Sequence, residues 1–241
     1  MVAQRGKREA REAVRTKTEY PLYLTVPFAE KDEAFRLGAL YDPQAKLWYA
    51  ASSSELAALG KWYKTPLVEF PGENRAYGGS RLYVDLVPKS CWFVNVRSAV
   101  APSEWGRVRR LVYARAEYRC ECCGVERQCG DAPVSIEAHE RWSYCASQKR
   151  QRLERLIALC SHCHSATHYG LASIRGRGAE AVRQLERVNG WSEREAVEHI
   201  AEAFAVWKER NHSSWILDIN IITQAGVELM PSLKKANLLH G

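Results

Sequence analysis

Apolar and polar positions alternate along Tyr20-Pro21-Leu22-Tyr23-Leu24-Thr25-Val26, a β-branched and aromatic run that predicts a strand. Residues 29–37 carry helical spacing and are closed by Gly38. Leu47-Trp48-Tyr49-Ala50 predicts a second strand, and residues 54–59 a second short helix ending near Gly60 and Trp62. A stretch rich in glycine, proline and asparagine, 66–80, reads as a linker. Beyond it 81–87 alternates as a strand stopped by Pro88, and Cys91-Trp92-Phe93-Val94-Asn95-Val96 follows. Ser103 is placed to cap a helix running to Glu117, with Trp105, Val108, Leu111, Val112 and Ala116 on one side and Arg107, Arg109, Arg110 and Arg115 on much of the rest. Those arginines fit a solvated face first and phosphate contact second.

The pattern changes again at 134–139, which alternates as a strand with Glu137 and His139 on the same face. Trp142 and Tyr144 mark a short return segment, 148–152 a polar basic loop, and 153–159 an apolar stretch. Two helices follow, 179–188 and 192–209. Ser192-Glu193-Arg194-Glu195 has the form of a capping box, and Val197, Ile200, Ala201, Phe204 and Trp207 make one stripe. Residues 215–222 read as a buried strand, with 81–87 its candidate partner, and the end of the chain from Ser232 as a frayed tail. The order of elements predicts an α+β chain in five parts: a basic arm at 1–18, a small α+β domain at 19–65, the linker, a larger domain at 81–222 and a tail at 223–241.

Composition adds a direction. The 241 residues are 46% hydrophobic, and no apolar run approaches transmembrane length, so no membrane partner is expected. Met1-Val2-Ala3-Gln4-Arg5-Gly6-Lys7-Arg8 lacks the apolar core of a secretory signal, which predicts a cytoplasmic protein whose paired cysteines serve metal rather than disulfides. A formal net charge of +7 and a pI of about 9.0 favour a polyanionic partner such as DNA, since neutralising phosphates releases condensed counterions.

The candidate chemistry is confined to residues 118–170. Two C-x-x-C pairs, Cys120/Cys123 and Cys160/Cys163, bracket His139, and the second pair runs into His164 and His168. Four thiolates at this spacing suit a closed, tetrahedral structural zinc. Cys122 breaks the two-residue spacer and is the bystander of its knuckle, with an exchange between neighbours left open. Cys91, Cys129 and Cys145 have no such partner and read as packing residues or free thiols. A short helix from Ser161 puts His164 and His168 one turn apart, and Gly170 ends it. With His139 on the facing strand they form a candidate site for a divalent metal (magnesium, manganese, nickel or zinc) that keeps coordination positions open for phosphate and water.

Two resemblances follow from these residues. Val26-Pro27-Phe28-Ala29-Glu30-Lys31-Asp32-Glu33-Ala34, with Gly38-Ala39, Asp42 and Lys46-Leu47-Trp48-Tyr49, resembles a small uncharacterised domain appended to DNA-processing proteins of plasmids and phages. Within it Lys46, Trp48 and Tyr49 could form a stacking surface, although aromatics in so small a unit more often make its core. Cys120-Glu121-Cys122-Cys123-Gly124, Ile136-Glu137-Ala138-His139-Glu140, Leu159-Cys160-Ser161-His162-Cys163-His164 and His168-Tyr169-Gly170 resemble an HNH endonuclease, the ββα-metal nuclease with two zinc knuckles. That resemblance implies DNA phosphodiester hydrolysis, with His139, His164 and His168 as catalytic-metal ligands and Glu140 as general base, or else Glu137 or His139. If His139 were the base, Ala138 would stand at the ligand position and could not bind metal. It also implies phosphate contacts from Arg150, Arg152 and Arg155. The chain departs from the family twice: Glu140 stands where a histidine base is usual, and Arg155 where the motif's middle asparagine is usual.

Overall fold

The computed structural model describes residues 22–43, 47–93, 95–127 and 134–230. The basic arm, the first two residues of the opening strand, Lys46, Cys129 and the tail from Ser232 lie outside the described residues. The chain divides into two compact units, Met1–Pro66 and Leu67–Gly241.

In the first unit the alternating run forms β1 (Leu22–Leu24), and the apolar run at 47–50 forms β3 (Leu47–Ala50) beside it, antiparallel. A further strand, β2 (Leu40–Asp42), completes the sheet in the order β1-β3-β2. Its three residues are too few to show a period, which is why the pattern did not reveal it. Helices α1 (Lys31–Arg36) and α2 (Leu56–Leu59) supply Ala34 and Leu59 to a small core with Leu24, Ala39, Ala50 and Trp62. Trp48 packs against that core, meeting Phe35 edge-on and Tyr41 at a tilt, while Tyr49 meets Tyr23.

The second unit begins earlier than the linker reading allows. Phe70 is buried in its core, and Glu73 receives both Nη groups of Arg115 at 2.6 and 2.7 Å together with the Leu156 amide at 2.8 Å. A glycine-rich composition is compatible with a fixed path when one buried carboxylate fastens it. Residues 81–87 are not a sheet strand. Their amides go elsewhere: Leu82 to the Asn189 side chain, Val84 to Nε2 of His199 and Asp85 to the Thr167 carbonyl. Side chains and a helix end therefore meet the backbone's requirement for partners that a ladder would otherwise satisfy.

Two helices follow, α3 (Val96–Ala99) and α4 (Pro102–Arg115). Pro102 takes the first position of α4 after Ala101, so Ser103 lies inside the helix and does not cap it. A long antiparallel hairpin follows, β4 (Ile136–Cys145) and β5 (Arg150–Cys160), with a register irregularity between Arg141 and Trp142. Trp142 and Tyr144 are thus part of β4 and not a return segment. Gln151 and Arg152 belong to β5 and not to a loop, because buried Gln151 and Leu153 extend the ladder toward the turn. From Leu156 to Cys160 every β5 side chain is buried, as expected of a strand covered on both faces. β6 (Ile216–Asp218) joins β5 in parallel opposite Arg150, Gln151 and Arg152, not 81–87, and α9 (Asn220–Thr223) takes the rest of the predicted strand.

Directly after β5 come α5 (Ser161–Thr167) and α6 (Tyr169–Ile174), then α7 (Gly178–Asn189) and α8 (Glu193–Arg210). The Ser192–Glu195 capping box is present in both directions. Val197 of the expected stripe points outward, and Ala196 is buried in its place. Gly170 does not stop α5; the chain bends at His168 and continues as α6, with the Leu171 and Ala172 amides bonded to the His168 carbonyl. Among the described residues no helix is long and apolar enough to cross a membrane.

Candidate functional site

Each C-x-x-C pair is set by local backbone geometry. Gly124 adopts φ +73° and donates its amide to the Cys120 carbonyl at 2.8 Å, a left-handed turn that a side chain would strain. Cys160 ends β5 and precedes α5, where its Sγ accepts the Cys163 amide. Glu121 fastens the first turn onto β5. Its amide reaches the Ala158 carbonyl at 2.9 Å, one carboxylate oxygen takes the Ala158 amide at 2.7 Å, and the other takes Arg155 at 2.7 Å.

The four sulfurs of Cys120, Cys123, Cys160 and Cys163 gather within 4.8 Å of one another, and Cys123 Sγ lies 3.7 Å from Cys160 Sγ. A tetrahedral ion with bonds of about 2.3 Å separates its sulfurs by about 3.8 Å, so the cluster has the dimensions to hold a structural metal such as zinc. Hydrogen bonds shared among the four thiols pull the Cys123 thiol down and push those of Cys160 and Cys163 up, as sulfurs this close compete for protons. Gln184 on α7, buried, donates Nε2 to Cys163 Sγ at 3.0 Å. Cys122 stays outside the cluster, between the Arg81 carbonyl and Arg141, with burial pushing its thiol up to about 12. The two-residue spacer thus identifies the right pair.

The three histidines converge as well. His139 from β4, His164 from α5 and His168 at the bend bring ring nitrogens within 4.8 Å of one another, with ring centroids 4.7 to 5.3 Å apart. His139 is 6% exposed, and its Nε2 is buried with no hydrogen-bond partner among the described residues. An unpaired buried nitrogen is costly unless something absent from the chain completes it. Desolvation holds His139 well below the ordinary imidazole range and, with His164 beside it, brings His168 down to about 4. Neutral imidazoles are the form a metal requires. The donor set therefore fits a divalent ion.

Glu137 pairs with one of the histidines. Its carboxylate lies 3.1 Å from Nδ1 of His164, which leaves Nε2 of that ring to face the cluster. Glu140 lines the same cavity, since β4 is the outer strand of its sheet and the cavity takes in both its faces. The Glu140 carboxylate accepts the Val96 amide at the start of α3 at 2.9 Å, and burial pushes it up to about 7.

None of the three arginines expected to grip flanking phosphates lines the histidines' cavity. Arg155 is 6% exposed and committed to Glu121 and the Gly79 carbonyl. It sits opposite Arg141, whose guanidinium bonds the carbonyls of Tyr77, Gly79 and Arg81. Gly78 has no room for a Cβ, which would meet Arg141 Nη1 at 2.7 Å. Arg150 and Arg152 lie toward the hairpin turn, while His139 pairs with Ile157. At about 3.3 Å per residue they are roughly 23 and 16 Å along the strand from the histidines.

The cations that do line the cavity are Arg97 after the start of α3 and Arg109 on α4. Trp105, Arg109 and Tyr113 stand at i, i+4 and i+8, so one stripe of α4 faces the histidines, a spacing visible in the sequence. The cavity measures about 880 Å³.

Comparison with known proteins reaches the first unit alone: a Domain of unknown function (DUF5710) matches residues 22–64. Neither curated proteins nor solved structures yield a match.

Proposed function

We propose that the second unit is a metal-dependent phosphodiester hydrolase of the HNH type acting on DNA, with a structural zinc on Cys120, Cys123, Cys160 and Cys163. The observation that carries it is the convergence of three neutral imidazoles around a buried, unpartnered nitrogen, in the wall of a cavity and one helical turn from a thiol cluster. A divalent ion on His139, His164 and His168 supplies Lewis acidity toward a phosphodiester oxygen. The chain's own residues do the rest. Glu137 fixes the His164 ring, Arg109 and Arg97 pair with phosphate oxygens, and Glu140, held by the Val96 amide, accepts the proton of the attacking water. The net charge of +7 supports a polyanionic substrate.

One observation favours a second reading, a metal-bearing module that binds nucleic acid without cutting it: Glu140, the base, already receives a backbone amide. A plasmid-nicking assay with manganese, nickel or magnesium separates the two. The hydrolase reading expects nicking by the wild-type chain and none by His164→Ala; equal inertness of both, with DNA binding retained, overturns it.

A further inference from the structure

The cavity beside the histidines is walled more by rings than by charge. Trp92, Trp105, Tyr113, Trp142, Phe204 and Trp207 line it, whereas its basic residues are Arg97 and Arg109, set against Asp85, Glu137 and Glu140. Trp92 and Trp207 both donate Nε1–H to one carbonyl, that of Val87, at 2.8 and 3.1 Å. With their polar edges satisfied in this way, the surfaces they can offer a ligand are ring faces. Trp92 remains 53% exposed, and Phe93 next to it 85%.

Duplex DNA is held chiefly by many cations on its two phosphate rows, and its bases stay stacked inside the helix. Single strands are held differently: aromatic side chains stack on splayed bases while a few cations follow the backbone. Two arginines, six aromatic residues and a volume of about 880 Å³ match the second arrangement. We propose that this site takes an unpaired nucleotide, with its base stacked on Trp92 inside the cavity and its phosphate turned toward His139, His164 and His168. The substrate class is therefore single-stranded or locally unpaired nucleic acid. This rests on the phosphodiester reading above.

Binding without added metal tests it independently of cleavage. The full chain is titrated against a fluorescent single-stranded oligonucleotide and against an abasic strand of the same length, which presents the same phosphates. The base-bearing strand should bind at least about fivefold more tightly, since one stacked base contributes about 1–3 kcal/mol. Trp92→Ala should erase that preference and Trp92→Phe retain most of it. Equal affinity for the two strands, or a preference untouched by Trp92→Ala, overturns the proposal even if the chain nicks plasmid. A base preference in a chain that never cleaves would leave the proposal standing and remove the hydrolase reading instead.

Discussion

Glu137 and Gln184 each reach one residue of a candidate metal site, His164 at 3.1 Å and Cys163 at 3.0 Å, and neither belongs to the cluster itself. Partners of this kind orient the donor atom, and their loss commonly lowers metal affinity 10- to 100-fold. Glu137→Ala should weaken binding of the second metal by about that factor in competition with a chromophoric chelator, while the zinc on the cysteines stays; unchanged affinity would contradict the assigned role. The arginines give a contrast. Arg155→Ala removes a buried guanidinium from Glu121 and the Gly79 carbonyl, leaving Glu121 with Arg75 and the Ala158 amide, and should cost about 1–3 kcal/mol by urea denaturation, whereas Arg152→Ala should stay within about 0.5 kcal/mol. At this scale the sequence displayed the donors, because cysteine and histidine spacing is local. It hid the burial of Arg155 and the pairing of Glu137, since both depend on which residues a long hairpin brings alongside.

The element that joins the two candidate metal sites is α5. Cys160 and Cys163 stand at its beginning, His164 one residue later and His168 at its end. Fixing the thiols therefore fixes the direction of two imidazoles. Cys163→Ser should accordingly lower affinity for the histidine-bound metal by at least about tenfold, although no histidine is touched. An unchanged second-site affinity in that variant would separate the two sites. The capping box of α8 and the apolar run of β5 were legible because their signals are short-range. Residues 81–87 were not, since an alternating run does not reveal that Asn189, His199 and Thr167 take its amides.

Across the whole molecule the two units have separate cores, one around Trp62 and one around the hairpin, with both candidate metal sites in the second. Unfolding should follow two transitions, of which chelation lowers one and leaves the other in place; a single transition that moves as a whole would contradict this independence. The central claim concerns the histidine site. Its most direct measurement is DNA nicking while manganese is titrated into protein that already carries zinc on its cysteines. Nicking should rise with the second metal equivalent, level off when it is filled and be lost in both His164→Ala and His168→Ala. Absence of nicking at every loading, or nicking that survives either substitution, would contradict it.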